Sequence, residues 1–294
     1  MQRALGQGLI TVNGARAAKG RQLRPGDRVD VRALLAAPPL PPPDVVVPVL
    51  YVDATLVAVS KPAGVPSVAR RIGGRPSVAS HLLERMPDLA GAAPTALDAG
   101  LVHRLDTGTS GVLLAARTPE AWRRLRGQFR RRTVEKVYVA VVRGRLAVAC
   151  TLAHDLEHAP RTPGRMRVAA EPTDRRSWRA VARLVPFAWA ERATCVRVEL
   201  HTGVTHQIRV QLAAIGHPIV GDDLYGSPAP PDLPPRPLLH AKRLRIVHPV
   251  TEAPLRIAAP VPAEFRAALA ALGFSRKHKA PADGVRRGLH RRDT

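Results

Sequence analysis

The amino-acid sequence predicts an α+β fold, and three observations carry that reading. Strand-like segments lie between helical ones without strict alternation, which favours α+β over a doubly wound parallel sheet. The chain has 294 residues, 45% of them apolar, enough to bury a real core and suggesting roughly two domains at about 150 residues each. Residues 36–48, AAPPLPPPDVVVP, concentrate prolines that favour extended geometry and read as a semi-rigid linker between a short leading module and a large body.

In chain order, residues 1–35 are turn-rich, with ITVNG at 10–14 and LRPGDRVDV at 23–31 alternating apolar and polar positions, the pattern of a small β-containing module. The body spans 49–274. VLYVDATLVAVSKPAG at 49–64 reads as two strands turning at Asp53-Ala54 and ending in a Lys61-Pro62-Ala63-Gly64 corner. Ser77 caps a short helix carrying Val78, Leu82 and Met86. Thr118-Pro119-Glu120 combines a cap, a first-turn proline and a carboxylate at the positive helix end, followed by Trp122, Leu125 and Phe129 at helical spacing. The other face of that helix bears Arg123, Arg124, Arg126 and Arg130. CVRVEL at 195–200 alternates as a half-exposed strand, then turns through TGVT into a helix carrying Ile208, Leu212 and Ile215 and stopping at Gly216. Pro262, Phe265, Leu269, Leu272 and Gly273 mark a last helix, and the tail from 275 to 294 is basic, apolar-poor and expected to be disordered until it meets an anion.

Charge narrows the function. Lys and Arg number 46 against 23 Asp and Glu, a formal charge of +23, and 40 of the cations are arginine, the residue suited to planar, bidentate phosphate contact. Such an excess points to nucleic acid or to an anionic membrane surface. No run approaches the roughly 18 apolar residues of a membrane span, and the start MQRALGQGLI lacks the apolar stretch of a signal peptide, so the expectation is a cytoplasmic protein. The basic tail has no apolar face, which argues against membrane-surface attachment. Cys150 and Cys195, 45 residues apart, are expected to be buried, reduced thiols. His154, Glu157 and His158 lack the His-Glu-x-x-His zinc spacing, and Gly6-Gln7-Gly8 lacks the third glycine of a dinucleotide loop. With aromatics at 3%, stacking of many bases is not the main binding mode.

The most informative stretch is HRLDTGTSG at 103–111, a polar, charged peptide inserted before the strand-like GVLLAAR. It is not a kinase catalytic loop, because Leu105 separates Arg104 from Asp106 and no Asp-Phe-Gly exists. Together with KPAG at 61–64, KVYVAVVRG at 136–144, LHTGVTHQIRVQLAAIGHPIVGDDLYG at 200–226 and LHAKRLRIVHP at 239–249, all in order, it resembles the RluA-type pseudouridine synthases over about residues 49–270. The resemblance implies a mixed, largely antiparallel central sheet, preceded by an abridged form of the alpha-L RNA-binding module. It implies isomerisation of uridines in structured RNA, ribosomal rather than transfer RNA, by a monomer that uses neither cofactor nor metal.

By the same resemblance Asp106 is the catalytic carboxylate, suited to stabilise, attack or deprotonate a ribose whose glycosidic bond is breaking. Arg209 is its cationic partner, which a buried carboxylate needs to stay ionised, and Tyr138 stacks beneath the flipped uracil. Arg104 and His103 are expected at the extruded nucleotide, Thr205, His206 and Gln207 on the substrate, and Arg123 and Arg130 on RNA phosphates. One departure stands out: Val204 occupies the place of the arginine in the Gly-Arg-Thr-His pattern. It leaves a second reading open, a non-catalytic RNA-binding or ribosome-associated protein that retains the fold.

Overall fold

A computed structural model describes residues 10–31, 44–69, 75–160, 162–171, 177–226 and 228–274. Gly6-Gln7-Gly8, most of the proline-rich stretch and the basic tail lie outside the described residues.

Near the start, β1 (Ile10–Val12), β2 (Ala15–Arg16) and β3 (Val29–Val31) form an antiparallel sheet in the order β2-β1-β3. Asn13 and Gly14 turn the first hairpin, both at positive φ (53° and 78°), as a two-residue turn that matches strand twist requires.

The body is one ten-stranded sheet. Its strands are β4 (Val49–Val52), β5 (Leu56–Lys61), β6 (Ser110–Ala116), β7 (Glu135–Arg143), β8 (Cys150–His158), β9 (Met166–Val168), β10 (Ser177–Trp189), β11 (Ala193–Leu200), β12 (Leu239–Val247) and β13 (Pro254–Ala258). They run in the order β4-β5-β6-β12-β7-β11-β10-β8-β9, with β13 paired to the far half of β12. Every pairing is antiparallel except β6 with β12, so the sheet is mixed and largely antiparallel, as expected. Among the described residues the α-helices are α1 (Val78–Arg85), α2 (Pro119–Arg131), α3 (Gln207–Ala214) and α4 (Ala263–Ala271).

Both faces of the sheet are covered near β5 and β6, which is why those strands are almost continuously apolar. Leu56, Ala58, Val112 and Leu114 point to one side and pack with Ala121 and Leu125 of α2. Val57, Val59, Leu113 and Ala115 point to the other and share a core with Val78 and Leu82 of α1, Leu212 of α3 and Phe265 of α4. Val47 already belongs to that core, so the packed body reaches back to it. Ser77 and Thr118 cap α1 and α2 as their sequences imply, and Gly216 and Gly273 follow α3 and α4 at φ of 77° and 83°. Of the two free cysteines, Cys195 is buried but Cys150 is only half-buried, because it opens β8 at the sheet margin.

The β6–β12 junction is short, pairing Ser110 with His240 and Gly111 with Ala241. Gly111 sits at φ 122°, and a Cβ there would lie 2.2 Å from the Ala241 carbonyl oxygen, so only glycine lets the two backbones meet. Among the described residues no helix is long and apolar enough to cross a membrane.

Candidate active site

The peptide 103–109 enters β6 at the floor of a groove of about 2700 Å³. Two anchors hold it. The Ser67 hydroxyl accepts from the Leu105 amide (3.0 Å) and donates to the Leu105 carbonyl (2.8 Å). Lys61, fully buried, donates from Nζ to the carbonyls of Pro62 (2.9 Å), Val65 (2.5 Å) and Thr107 (3.1 Å), and the Gly64 amide also donates to Thr107 O (2.8 Å). Three carbonyl oxygens match the three N–H groups of an ammonium, while burial works against its charge and brings the Lys61 pKa down to about 7. The Lys-Pro-Ala-Gly corner thus grips the peptide on one side of Asp106 and Ser67 grips it on the other. The side chain of Asp106 is left 29% exposed in the groove.

Arg209, on the first turn of α3, approaches Asp106 with Nη1 at 3.5 Å from Oδ2. Its closer partner is one that sequence reasoning did not single out. Asp222, wholly buried, accepts from Arg209 Nε and Nη2 at 2.7 Å each, and from the amides of Leu224 and Tyr225 at 3.2 Å. Arg209 therefore serves two carboxylates: two of the three guanidinium nitrogens are committed to Asp222, and the third faces Asp106. Burial opposes the charge on Arg209, but the Asp222 bonds and the Asp106 charge outweigh it and raise its pKa.

His206, at φ 54° in front of α3, holds Nδ1 2.9 Å from the Tyr225 hydroxyl and Nε2 3.9 Å from Asp106 Oδ1. Burial lowers its pKa although Asp106 pulls the other way. The Tyr225 ring lies 5.1 Å from the Arg209 guanidinium, a cation–π contact that completes the frame.

Tyr138, on β7, is buried and lines the same groove as Asp106. Burial, reinforced by the Asp106 charge, pushes its phenol well above the ordinary range, so it is protonated at neutral pH.

The remaining expected residues divide. Arg104 and Thr205 are exposed beside Asp106 and His206 and line the groove, and no hydrogen bond or ion pair engages the Arg104 side chain among the described residues. On α2, Arg123 and Arg130 are exposed on the groove wall, whereas Arg124 is tied to Glu120 and the Pro249 carbonyl and Arg126 to the Val102 carbonyl. His103 and Gln207 are put to internal use. His103 Nε2 accepts from the Leu114 amide (3.2 Å), its ring stacks on Phe129 at 4.9 Å, and burial takes its pKa to about 3, so it is neutral. Gln207 is buried, its oxygen accepting from Thr202 Oγ1 and Val204 N, its nitrogen donating to the Val181 carbonyl and to Gln211. Both line the groove as well, so these internal bonds fix the loops that border it. Val204 packs against an apolar cluster of Leu156, Met166, Ala180 and Val210, which explains an apolar residue there. A cation persists nearby: Lys136 donates to the Thr202 carbonyl at 2.7 Å, and burial lowers its pKa to about 8.

Comparison with known proteins places the chain in a family. The profile of the RNA pseudouridylate synthase family matches residues 55–214. Ribosomal large subunit pseudouridine synthase D of Xanthomonas campestris is 36% identical over 267 residues, covering 85% of this chain and 77% of that protein. Dual-specificity RNA pseudouridine synthase RluA of Salmonella typhi is 36% identical over 210 residues, 71% of this chain and 90% of its own. The solved structure of human RNA Pseudouridylate Synthase Domain Containing 1 aligns with a TM-score of 0.57 at 28% identity, over 74% of this chain and 84% of that one.

Proposed function

Since the chain belongs to the RNA pseudouridylate synthase family, we propose that it isomerises specific uridines to pseudouridine in ribosomal RNA, with Asp106 as the catalytic carboxylate. The observation that carries this reading is the meeting of Asp106, Arg209 and Tyr138 in one arginine-walled groove. The reaction breaks the N1–C1′ bond of uridine and forms a C5–C1′ bond. A proton leaves C5 and one is gained at N1, so atoms and electrons balance within the substrate and no cofactor or metal is required.

Each residue then has a part. Asp106 acts at C1′ or C2′ of the ribose, as nucleophile or base. Arg209, clamped by Asp222, keeps one N–H on the Asp106 side and holds that carboxylate oriented. Tyr138 contacts the uracil and, being a protonated phenol, relays a proton rather than acting as a phenolate base. Arg104 takes the space or phosphate vacated by the extruded nucleotide, Thr205 and His206 border the ribose, and Arg123 and Arg130 hold phosphates along the approach.

In the same reading residues 1–35 form an abridged RNA-binding module, 36–48 a linker, 49–274 the catalytic domain and 275–294 a basic arm, in a monomer working in the cytoplasm. Ribosomal RNA is preferred because relatives of this chain are named for the ribosomal large subunit. The test is tritium release from large-subunit ribosomal RNA labelled at uridine C5. Wild-type protein releases label, and Asp106→Asn binds the RNA equally but releases none. Equal binding with no release by the wild type would instead make the protein a non-catalytic RNA binder.

A further inference from the structure

The chain holds only ten aromatic residues, and all lie within the described structure. Nine are buried or half-buried, while Trp178 alone is exposed, at 46%. Leaving an indole in water forgoes the largest apolar burial any side chain offers, so its position calls for a reason.

That position is the wall of the active-site groove. Trp178 lies near the start of β10, paired with Leu156 of β8. The pairing of β10 with β11 begins only at Ala182 opposite Leu200, so residues 177–181 extend beyond β11, beside the loop that carries Thr205 and His206. Strand alternation puts Trp178 on the same face as Ala180, Ala182 and Leu184, all of which are buried. The apolar face of β10 thus runs out of the core into the groove and ends in a bare ring. The His158 ring stands perpendicular to it with centroids 5.4 Å apart, and the indole is still 46% exposed. Arg179 follows it in the groove lining, and Arg123, Arg130 and Arg132 stand in the same lining.

A half-exposed indole in a groove lined by Arg123, Arg130 and Arg132, with Arg179 beside it held by Asp155 at 2.9 Å, suits an unpaired nucleobase, because every base has a π-face and the strand it belongs to is anionic. We propose that Trp178 is a stacking platform for one unpaired base of the RNA strand that flanks the extruded uridine, and that it favours single-stranded or loop targets. One such platform is compatible with an aromatic-poor chain. The proposal rests on the RNA-substrate reading above and adds a positioning residue that the catalytic motifs do not contain.

The test uses the full chain, a 12-nucleotide RNA without uridine or self-pairing, and a strand of equal length and charge lacking bases. Without uridine, the Tyr138 pocket contributes nothing to the comparison. Wild-type protein binds the base-bearing strand more tightly, and Trp178→Ala loses about 5- to 150-fold on that strand with little change on the abasic one. Trp178→Phe retains most of the preference, and the RNA-induced quenching of tryptophan fluorescence expected of the wild type falls in that variant, leaving only what Trp122 in the same groove contributes. A Trp178→Ala protein that keeps the wild-type preference while tritium release from ribosomal RNA is intact overturns the platform and leaves the synthase reading standing. A wild-type protein that binds neither strand and releases no tritium overturns both.

Discussion

Arg209 is a divided residue. Its Nε and Nη2 each donate to Asp222, a bidentate geometry that fixes the guanidinium plane, and this fixed plane is what aims Nη1 at Asp106. Lysine could not replace it, since a point charge cannot hold one anion and present a separate donor to a second. Removing Asp222 leaves a buried cation without its partner, so Asp222→Ala is expected to lose about 3–5 kcal/mol of stability, read from urea unfolding. A loss below about 1 kcal/mol would mean that water reaches Arg209 and that Asp222 does not carry the pair. The main site residues were readable from motifs, but Asp222 was not. It sits 13 residues after Arg209 in a Gly-Asp-Asp turn, where either aspartate passes for an ordinary turn former. The available signal was a buried arginine's need for a carboxylate close enough to hold it. The internal bonds of Gln207 and His103 were equally hidden, since a polar residue beside a catalytic motif does not show its buried partners in sequence.

At the scale of elements, the sheet is closed at its back by a clasp between the β4–β5 turn and the end of β12. Asp53 accepts from the Tyr51 hydroxyl (2.7 Å), the Thr55 amide (2.7 Å), the Leu56 amide (2.9 Å) and His248 Nε2 (2.8 Å). His248 Nδ1 accepts from the amides of Val250 and Thr251, which places the ring proton on Nε2, facing Asp53. Burial works against the Asp53 charge, but these donors outweigh it and hold the carboxyl well below the usual carboxylate range. A depressed folded pKa means that the unfolded chain takes up the proton first. The stabilisation is therefore complete above the unfolded value near 3.9 and is lost as pH falls below about 4. The thermal midpoint of the wild type should drop more steeply below pH 4 than that of Asp53→Asn, and parallel curves would remove Asp53 from the acid limb. Helix ends proved readable because caps are local: Ser77, Thr118, Gly216 and Gly273 each act within one turn of chain. Strand order was not, since nothing local in Leu239–Val247 says that this strand lies between β6 and β7.

Over the whole molecule, the +23 charge is not spread as equivalent cations. Part of the arginine is structural, as with Arg124 on Glu120, Arg117 on Asp88 and Arg236 on Glu264. Others, Arg104, Arg123 and Arg130 among them, are exposed in the groove lining. Only this second set should release counterions when RNA binds. Arg123→Ala and Arg130→Ala are each expected to reduce the slope of log affinity against log salt by about 1. Arg124→Ala should leave the slope nearly unchanged. Equal effects from all three, in filter binding between 50 mM and 200 mM salt, would mean that the surface acts as a diffuse cloud of charge with no organised track.

The placement of β12 has a temporal consequence. The strand that bridges the Asp106 side of the sheet to the Tyr138 side is drawn from residues 239–247, about 130 positions after its partner Ser110. While the chain emerges, β6 and β7 have no edge in common, and the carboxylate and the phenol stand on unconnected halves. Closing a loop of that length is slow, because its entropy must be lost before the contact forms, and β13 and α4 can dock only after it. The proposed site is therefore expected to assemble only once residues 239–247 are in place, so a chain truncated before Leu239 should bind RNA through its groove arginines and release no tritium in the C5 assay.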